Sequence, residues 1–323
     1  MHLIKELKQK IYAGNDISKE EALALADTST DLQELAAAAD EIRKHLCGNR
    51  FDLCTIVNGK CGRCPEDCKY CAQSAHYQTD CHDSYPILST QALLEGAARS
   101  KEQGVLRYSI VTSGRQLDSR EVEEVCVSIR EIRRQVGIEI CVSFGLLDEM
   151  QFRRLKEAGA SRVHCNLETS RRFFSQVCTT HTYEDKIAVL RAARAAGLSV
   201  CSGGIVGLGE EMEDRIDLAL TLRELGVKSV PVNLLNPIKG TPYENNPILT
   251  SEAFCRTISI FRFLIPDADI RLAGGRGLLG DKGERCFVSG ANAAISGDML
   301  TTAGITTAAD LALLRRLGYV VKK

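Results

Sequence analysis

Neither sign of charge dominates this sequence: 41 Lys and Arg stand against 42 Asp and Glu, leaving a net charge of −1. The basic surplus that phosphate backbones demand is missing, which argues against a nucleic-acid partner. No apolar run approaches the roughly 18 residues of a membrane-spanning helix. No charged-then-apolar leader opens the chain, and the expectation is a cytoplasmic protein without a membrane partner. Low-complexity linkers are also absent, so no domain break is expected within residues 50–318. What remains is ample for a core: 44% of the 323 residues are hydrophobic. A chain of this length makes one large domain or two, and α/β barrels often run this long as one. The abundant residue is cysteine, with fourteen. In a chain without a leader, that number points to metal or redox chemistry before disulfides.

Four of these cysteines crowd into Cys61-Gly-Arg-Cys64-Pro-Glu-Asp-Cys68-Lys-Tyr-Cys71. The last three have the spacing C-x3-C-x2-C. Short thiolate loops of this kind hold iron–sulfur clusters. Three ligands leave one iron of a 4Fe–4S cluster open to an outside group. Radical chemistry with S-adenosylmethionine uses such an iron, which chelates the amino and carboxylate groups of that cofactor. The alternative is a zinc site completed by His76 and His82, although zinc knots usually pair two C-x2-C hooks.

Residues 1–46 read as helices, with capping boxes expected at Ser18/Glu21 and Thr30/Gln33. From residue 50, β-branched runs alternate with amphipathic ones. Strands are expected at 53–58, 107–112, 138–144, 162–168, 199–208, 229–235, 269–275 and 291–297. Helices are expected at 89–104, 119–136, 148–159, 183–197, 211–226, 251–265, weakly at 282–289, and at 306–317. Eight strand–helix units imply a parallel sheet closed on itself, an α/β (βα)8 TIM-type barrel. The expected division is an N-terminal helical extension over 1–48 and the barrel over 49–323.

On this map the cysteine loop follows the first strand, at the C-terminal face where barrel enzymes keep their chemistry. Strand alternation directs Cys141 and Cys201 into the lumen. Arg271 also lies in a strand and needs a counter-charge there. Either a carboxylate such as Glu168 or an anionic cluster would serve. Glu168, with Asn166 two residues before it, can grip the vicinal hydroxyls of a ribose. Asn233 is a further polar group at a strand end. The glycines of the run from Gly203 to Glu210 are not in Rossmann register. Close approach of backbone to adenine or methionine, through Gly204 and Ile205, explains them, with a tight strand-to-helix turn as the alternative.

Taken together, Cys64-Pro-Glu-Asp-Cys68-Lys-Tyr-Cys71, Val200-Cys-Ser-Gly-Gly-Ile-Val-Gly-Leu-Gly-Glu210, Asn233 with Lys239-Gly-Thr-Pro242, Ile270-Arg-Leu-Ala-Gly-Gly-Arg276 and Ser289-Gly-Ala-Asn292 resemble the biotin synthase family. The resemblance implies a radical S-adenosylmethionine sulfurtransferase that converts dethiobiotin to biotin. Cys64, Cys68 and Cys71 would hold the 4Fe–4S cluster. Tyr70, Asn166 and Glu168 would contact the cofactor, Glu168 where familiar members have Asp. Asn233 and Thr112 would border the substrate. Cys141, Cys201 and Arg271 would be three of four ligands of a sulfur-donating auxiliary cluster. The fourth is a cysteine in the family; here Ser109 takes its place. Cys61 is a gained cysteine. The expectation is that Cys61, Cys141 and Cys201 carry a rearranged auxiliary cluster, of 2Fe or 4Fe type, near Arg271. Cys54, Cys81, Cys126, Cys178, Cys255 and Cys286 read as packing thiols. The resemblance also implies an external flavodoxin or ferredoxin and a homodimer. The alternatives are a hydrogenase-cofactor maturase, a methylornithine synthase, or a non-catalytic iron–sulfur or zinc scaffold.

Overall fold

The structure, a computed structural model, describes residues 2–81 and 83–322. His82 lies outside the described residues, so its expected zinc role has no structural counterpart; His76 Nε2 lies 2.9 Å from the Pro65 carbonyl.

Three helices open the chain: α1 (His2–Tyr12), α2 (Lys19–Ala26) and α3 (Leu32–Cys47). Ser18 and Glu21 form the expected capping box of α2. The second expected box is not used. Asp31, not Thr30, caps α3, its carboxylate accepting from the Glu34 amide at 2.8 Å. A carboxylate is at least as good a cap as a hydroxyl, and shifting the start by one residue brings it into place.

The strands are β1 (Arg50–Lys60), β2 (Arg107–Thr112), β3 (Glu139–Ser143), β4 (Arg162–His164), β5 (Ser199–Cys201), β6 (Gly204–Val206), β7 (Ser229–Leu234), β8 (Asp269–Leu272), β9 (Ala293–Ile295) and β10 (Val320–Val321). Between and after them run α4 (Thr90–Glu102), α5 (Ser119–Gln135), α6 (Glu149–Ala158), α7 (Phe174–Val177), α8 (Tyr183–Ala195), α9 (Met212–Glu224), α10 (Ser251–Leu264), α11 (Glu284–Phe287) and α12 (Thr307–Arg316). Helix starts are well specified locally. Asp118/Glu121, Asp148/Gln151 and Thr182/Asp185 each make reciprocal side-chain and backbone caps. α3 packs on α10, and α2 on α9 and α10, so the opening helices cover one flank of the barrel.

All neighbouring strands are parallel, in the order β5-β4-β3-β2-β1-β9-β8-β7-β6, while β10 pairs with the start of β1. The two ends of this path are one stretch of chain. The single strand expected at 199–208 is broken at Ser202–Gly203, and its halves serve different neighbours. β5 pairs with β4, and β6 pairs with β7. Cross-links carry the seam: the Ser202 amide donates to Ser229 O (3.1 Å), Glu168 N to Gly203 O (3.1 Å) and Ile205 N to Glu168 O (2.8 Å). The barrel is thereby closed, with β5 and β6 as its fifth wall.

That seam explains the glycines. A Cβ on Gly203 would sit 1.8 Å from Pro231 O, and one on Gly204 would sit 2.2 Å from Glu168 O. Neighbouring backbone, not a ligand, forbids a side chain at both positions. Gly203→Ala should therefore cost at least about 3 kcal/mol, the upper end of overpacking penalties. Gly277→Ala, where a Cβ meets nothing within 4 Å, should stay within about 0.5 kcal/mol of wild type. Urea titrations of the two variants check this pair.

Candidate active site

The cysteine loop leaves β1 and folds back on itself. Cys61 N and O pair with Tyr85 O and N, and the Cys64 amide and carbonyl bond Gln73 O and Ala75 N at 2.8 Å each. A second segment, residues 177–181, clasps the loop from outside. Asp67 accepts from the amides of Thr179 (2.8 Å) and Thr180 (3.1 Å), and Lys69 N donates to Val177 O at 3.0 Å. Glu66 accepts from Thr180 Oγ1 (2.8 Å), faces His181, and lies 3.4 Å from Arg115. The Pro-Glu-Asp of the motif is thus the loop's anchor.

Inside the barrel mouth lies a cavity of about 390 Å³, the size of a small-molecule site. Cys64, Cys71 and Tyr70 line one end. Thr112, Asn166, Glu168, Ile205 and Asn233 line the middle, and Cys54, Cys141, Cys201 and Arg271 line the deep end. Among the expected site residues, Cys68, Cys61 and Gly204 are not on this lining. The Cys68 Sγ is turned toward Cys178 Sγ, 3.8 Å away. Gly204 instead offers its carbonyl to Asn233 Nδ2 at 3.0 Å.

Glu168 holds a left-handed backbone, φ 68°, which a non-glycine residue adopts only under constraint. Its Oε1 accepts from Tyr70 OH at 2.9 Å. Its Oε2 is buried and has no hydrogen-bond partner among the described residues. A carboxylate oxygen left bare in a cavity fits a ligand hydroxyl. Asn166 Oδ1 accepts from Gly203 N (3.1 Å), and Asn233 Oδ1 from Gly274 N (2.8 Å), so both amides are held by backbone.

The deep end departs from expectation in two ways. First, Arg271 is paired not with Glu168 but with Asp52, Nη2 to Oδ1 at 2.6 Å. Its Nη1 also donates to Ala294 O (2.9 Å) and reaches Cys54 Sγ (3.2 Å). Arg271 reaches past β9 to β1, a crossing that the order of elements along the chain does not reveal. Second, the structure does not bring Cys61 to Cys141 and Cys201. Cys61 lies beyond the straight part of β1, its Sγ 3.3 Å from Asp83 O and beside Cys81. Cys54, read from the sequence as a packing thiol, occupies that position instead. Strand parity carries the missed signal: Asp52 and Cys54 share a face of β1, as Arg162, His164, Asn166 and Glu168 share one along β4 and its extension.

Register completes the cluster of side chains. Cys54 stands opposite Arg107, Ser109 opposite Cys141, Cys141 opposite Arg162, and His164 opposite Cys201. Burial would raise the Asp52 carboxyl, but Arg271, Arg107 and Arg162 outweigh it and hold it well below the usual range. Burial would likewise raise Cys201, yet the hydrogen bond from His164 and the charges of Arg162 and Arg271 bring it below the usual thiol value. Burial and the neighbouring Cys201 push Cys141 up. Three arginines and one carboxylate leave the deep end positive, and thiolates or an anionic cluster would neutralise it. The residues present fit an iron–sulfur group there. At the mouth, three thiols within one anchored loop and the bare Glu168 oxygen fit a 4Fe–4S cluster with S-adenosylmethionine.

The comparisons agree with this geometry. Residues 60–222 match the Radical SAM superfamily and residues 231–320 the Biotin and Thiamin Synthesis associated domain. A closed parallel barrel with a C-x3-C-x2-C loop at its mouth therefore defines the class: a radical S-adenosylmethionine enzyme. Biotin synthase 2 of Corynebacterium diphtheriae is 55% identical over 99% of this chain and 97% of its own length. The biotin synthase of Brachyspira hyodysenteriae is 54% identical (99% and 95%), and that of Clostridium botulinum 52% (99% and 100%). The chain belongs to the biotin synthase family. It is thus a radical S-adenosylmethionine sulfurtransferase, with a 4Fe–4S cluster and S-adenosylmethionine as cofactors. Among solved structures, methylornithine synthase superposes with a TM-score of 0.83 at 19% identity, covering 98% of this chain and 97% of its own. A hydrogenase maturase from Carboxydothermus hydrogenoformans gives 0.82 at 18%, covering 99% and 79%. These two share the fold. Among the described residues no helix is long and apolar enough to cross a membrane.

Asp52→Asn should cost about 3–5 kcal/mol, because it strands the Arg271 charge in the lumen. The Asp52 carboxyl is lowered on folding, so its contribution is complete above the unfolded value of about 4 and fades only as pH falls through the lower folded value. Denaturation of wild type and variant should show a constant gap from about pH 5 to 8 that narrows below about pH 4.

Proposed function

We propose that this chain makes biotin from dethiobiotin by inserting sulfur drawn from an auxiliary cluster at the deep end of its lumen. What supports the reading is that one cavity has cysteines at both ends, Cys64 and Cys71 at the mouth and Cys54, Cys141 and Cys201 with Arg271 below. Cys64, Cys68 and Cys71 hold the 4Fe–4S cluster, Cys68 by turning in from its position beside Cys178. With S-adenosylmethionine bound, this centre supplies the carbon radical that abstracts hydrogen from an unactivated C–H bond. Glu168 Oε2 and Asn166 hold the ribose, and Tyr70 fixes the Glu168 carboxylate. Asn233 and Thr112 border dethiobiotin between the two centres. The closed wall excludes water and holds the reacting groups within near-attack distance.

The auxiliary ligands in this reading are Cys54, Cys141 and Cys201 beside Arg271, with Cys54 replacing the earlier expectation of Cys61. Three thiolates suit a 4Fe cluster that keeps one iron for an exchangeable sulfide. The electron donor is a flavodoxin or ferredoxin and the enzyme is a homodimer; both rest on family likeness. A cytoplasmic setting accords with fourteen free thiols. Residues 1–48 form the extension and 49–323 the catalytic barrel.

Reconstituted protein given dethiobiotin, S-adenosylmethionine and a strong reductant should yield biotin and 5′-deoxyadenosine. Cofactor cleavage without biotin would defeat the sulfur-insertion reading. Cys54→Ser should lose the auxiliary iron and sulfide, retain the mouth cluster, and make no biotin. Cys61→Ser should retain the iron of both centres and most of the activity. Iron and sulfide quantitation with Mössbauer spectra separates the two variants.

A further inference from the structure

The Cys68 thiol does not face the cavity. In this structure its thiol belongs to a second group of donors, outside the cavity. The Cys178 Sγ lies 3.8 Å away, and His181 Nδ1 is 3.3 Å beyond Cys178. The three donor atoms lie within 4.8 Å of one another. Glu66 Oε2 contacts the same His181 nitrogen, and Asp67 Oδ1 lies 3.1 Å from Cys178 Sγ. Cys178 and His181 are only 3% and 7% exposed. Cys178 has no role in the chemistry proposed above, and His181 otherwise serves only the loop's anchor.

Two of these spacings, Cys68–Cys178 and Cys178–His181, are close to those of a tetrahedral metal site. Two thiolates bound at 2.3 Å in a tetrahedron stand about 3.8 Å apart, and a thiolate and an imidazole about 3.5 Å. Two sulfurs and one imidazole, with a position left for water, form a donor set suited to zinc or iron(II). The anchor is rigid: the amides of Thr179 and Thr180 fix Asp67 between the two segments that supply the donors.

We propose that Cys68, Cys178 and His181, with a water in the fourth position, bind one thiophilic divalent cation when the 4Fe–4S cluster is absent. The inference rests on the functional reading above only in sharing Cys68 with the cluster. Binding displaces the thiol protons and replaces the contacts among the donors with bonds to the cation. Because Cys68 cannot serve both centres, a cation here withholds it from the cluster. Zinc at this position is then a block to cluster assembly, and iron(II) a metal ion held beside the loop that needs it.

The probe is cobalt(II), added anaerobically to the full-length, cluster-free protein. Wild type should show thiolate-to-cobalt charge transfer and tetrahedral d–d bands. Cys178→Ala and His181→Gln should each lose one equivalent, whereas Cys64→Ala and Cys71→Ala should keep it. Cobalt on the deep thiols adds equally to all of these proteins and cancels in the comparison. Circular dichroism confirms that each variant is folded, and Cys178→Ser gives a second, near-isosteric loss. Absent binding in wild type, or an equivalent lost with Cys64 or Cys71 but kept without Cys178 and His181, would overturn the proposal. Zinc should also slow cluster reconstitution in wild type and not in His181→Gln. Cluster formation in Cys64→Ala would instead overturn the cluster assignment and leave the cobalt result standing.

Discussion

The contact between Arg271 and Asp52 sets the terms for the whole lumen. An arginine buried in a barrel costs several kcal/mol unless its charge is met and its donors are filled. Here one carboxylate on β1 meets it, and the carbonyl of Ala294 and the thiol of Cys54 take further donors. The same pair joins β8 to β1 across β9 and faces Cys54 into the space that Cys141 and Cys201 share. Arg107 and Arg162 add two positive charges that Asp52 alone cannot balance. The deep end is therefore an anion site made of strands. Thiolates or an anionic cluster would supply the negative charge it lacks.

Closure is the second constraint. A parallel barrel must join its ends, and this one does so with a strand broken at Ser202–Gly203 whose halves pair with β4 and β7. The break delivers Cys201 to the lumen on one side and Ile205 on the other. It also draws Glu168 into the left-handed conformation that exposes its second oxygen to the cavity. The strain at Glu168 and the missing side chains at Gly203 and Gly204 have one cause, the approach of three backbones at the seam.

Much of this could be read from the sequence because it is local. Period-two and period-3.6 patterns place seven of the eight expected strands as single elements, and paired caps such as Asp118/Glu121 mark where helices begin. The cysteine loop is legible from its spacing. What escaped is non-local. Cys54 looks like any buried strand thiol until Arg271 arrives from the far end of the chain. Cys61 would face the lumen only if β1 ran straight, whereas the loop turns back to pair with Tyr85. Glu168, just beyond β4, is the obvious carboxylate for Arg271 in the sequence. Asp52 wins because the parallel order brings β1 within reach. The break at Gly203 cannot be seen from a run of glycines that also suits a ligand loop.

In the proposed enzyme two iron–sulfur centres face one another across one cavity, the deeper held by Cys54, Cys141 and Cys201. Anomalous scattering at the iron edge from crystals of the reconstituted protein locates every iron directly. That arrangement should give one peak at Cys64, Cys68 and Cys71 and a second among the three deep cysteines beside Arg271. A single peak, or a second one at Cys61 and Cys81, would contradict it.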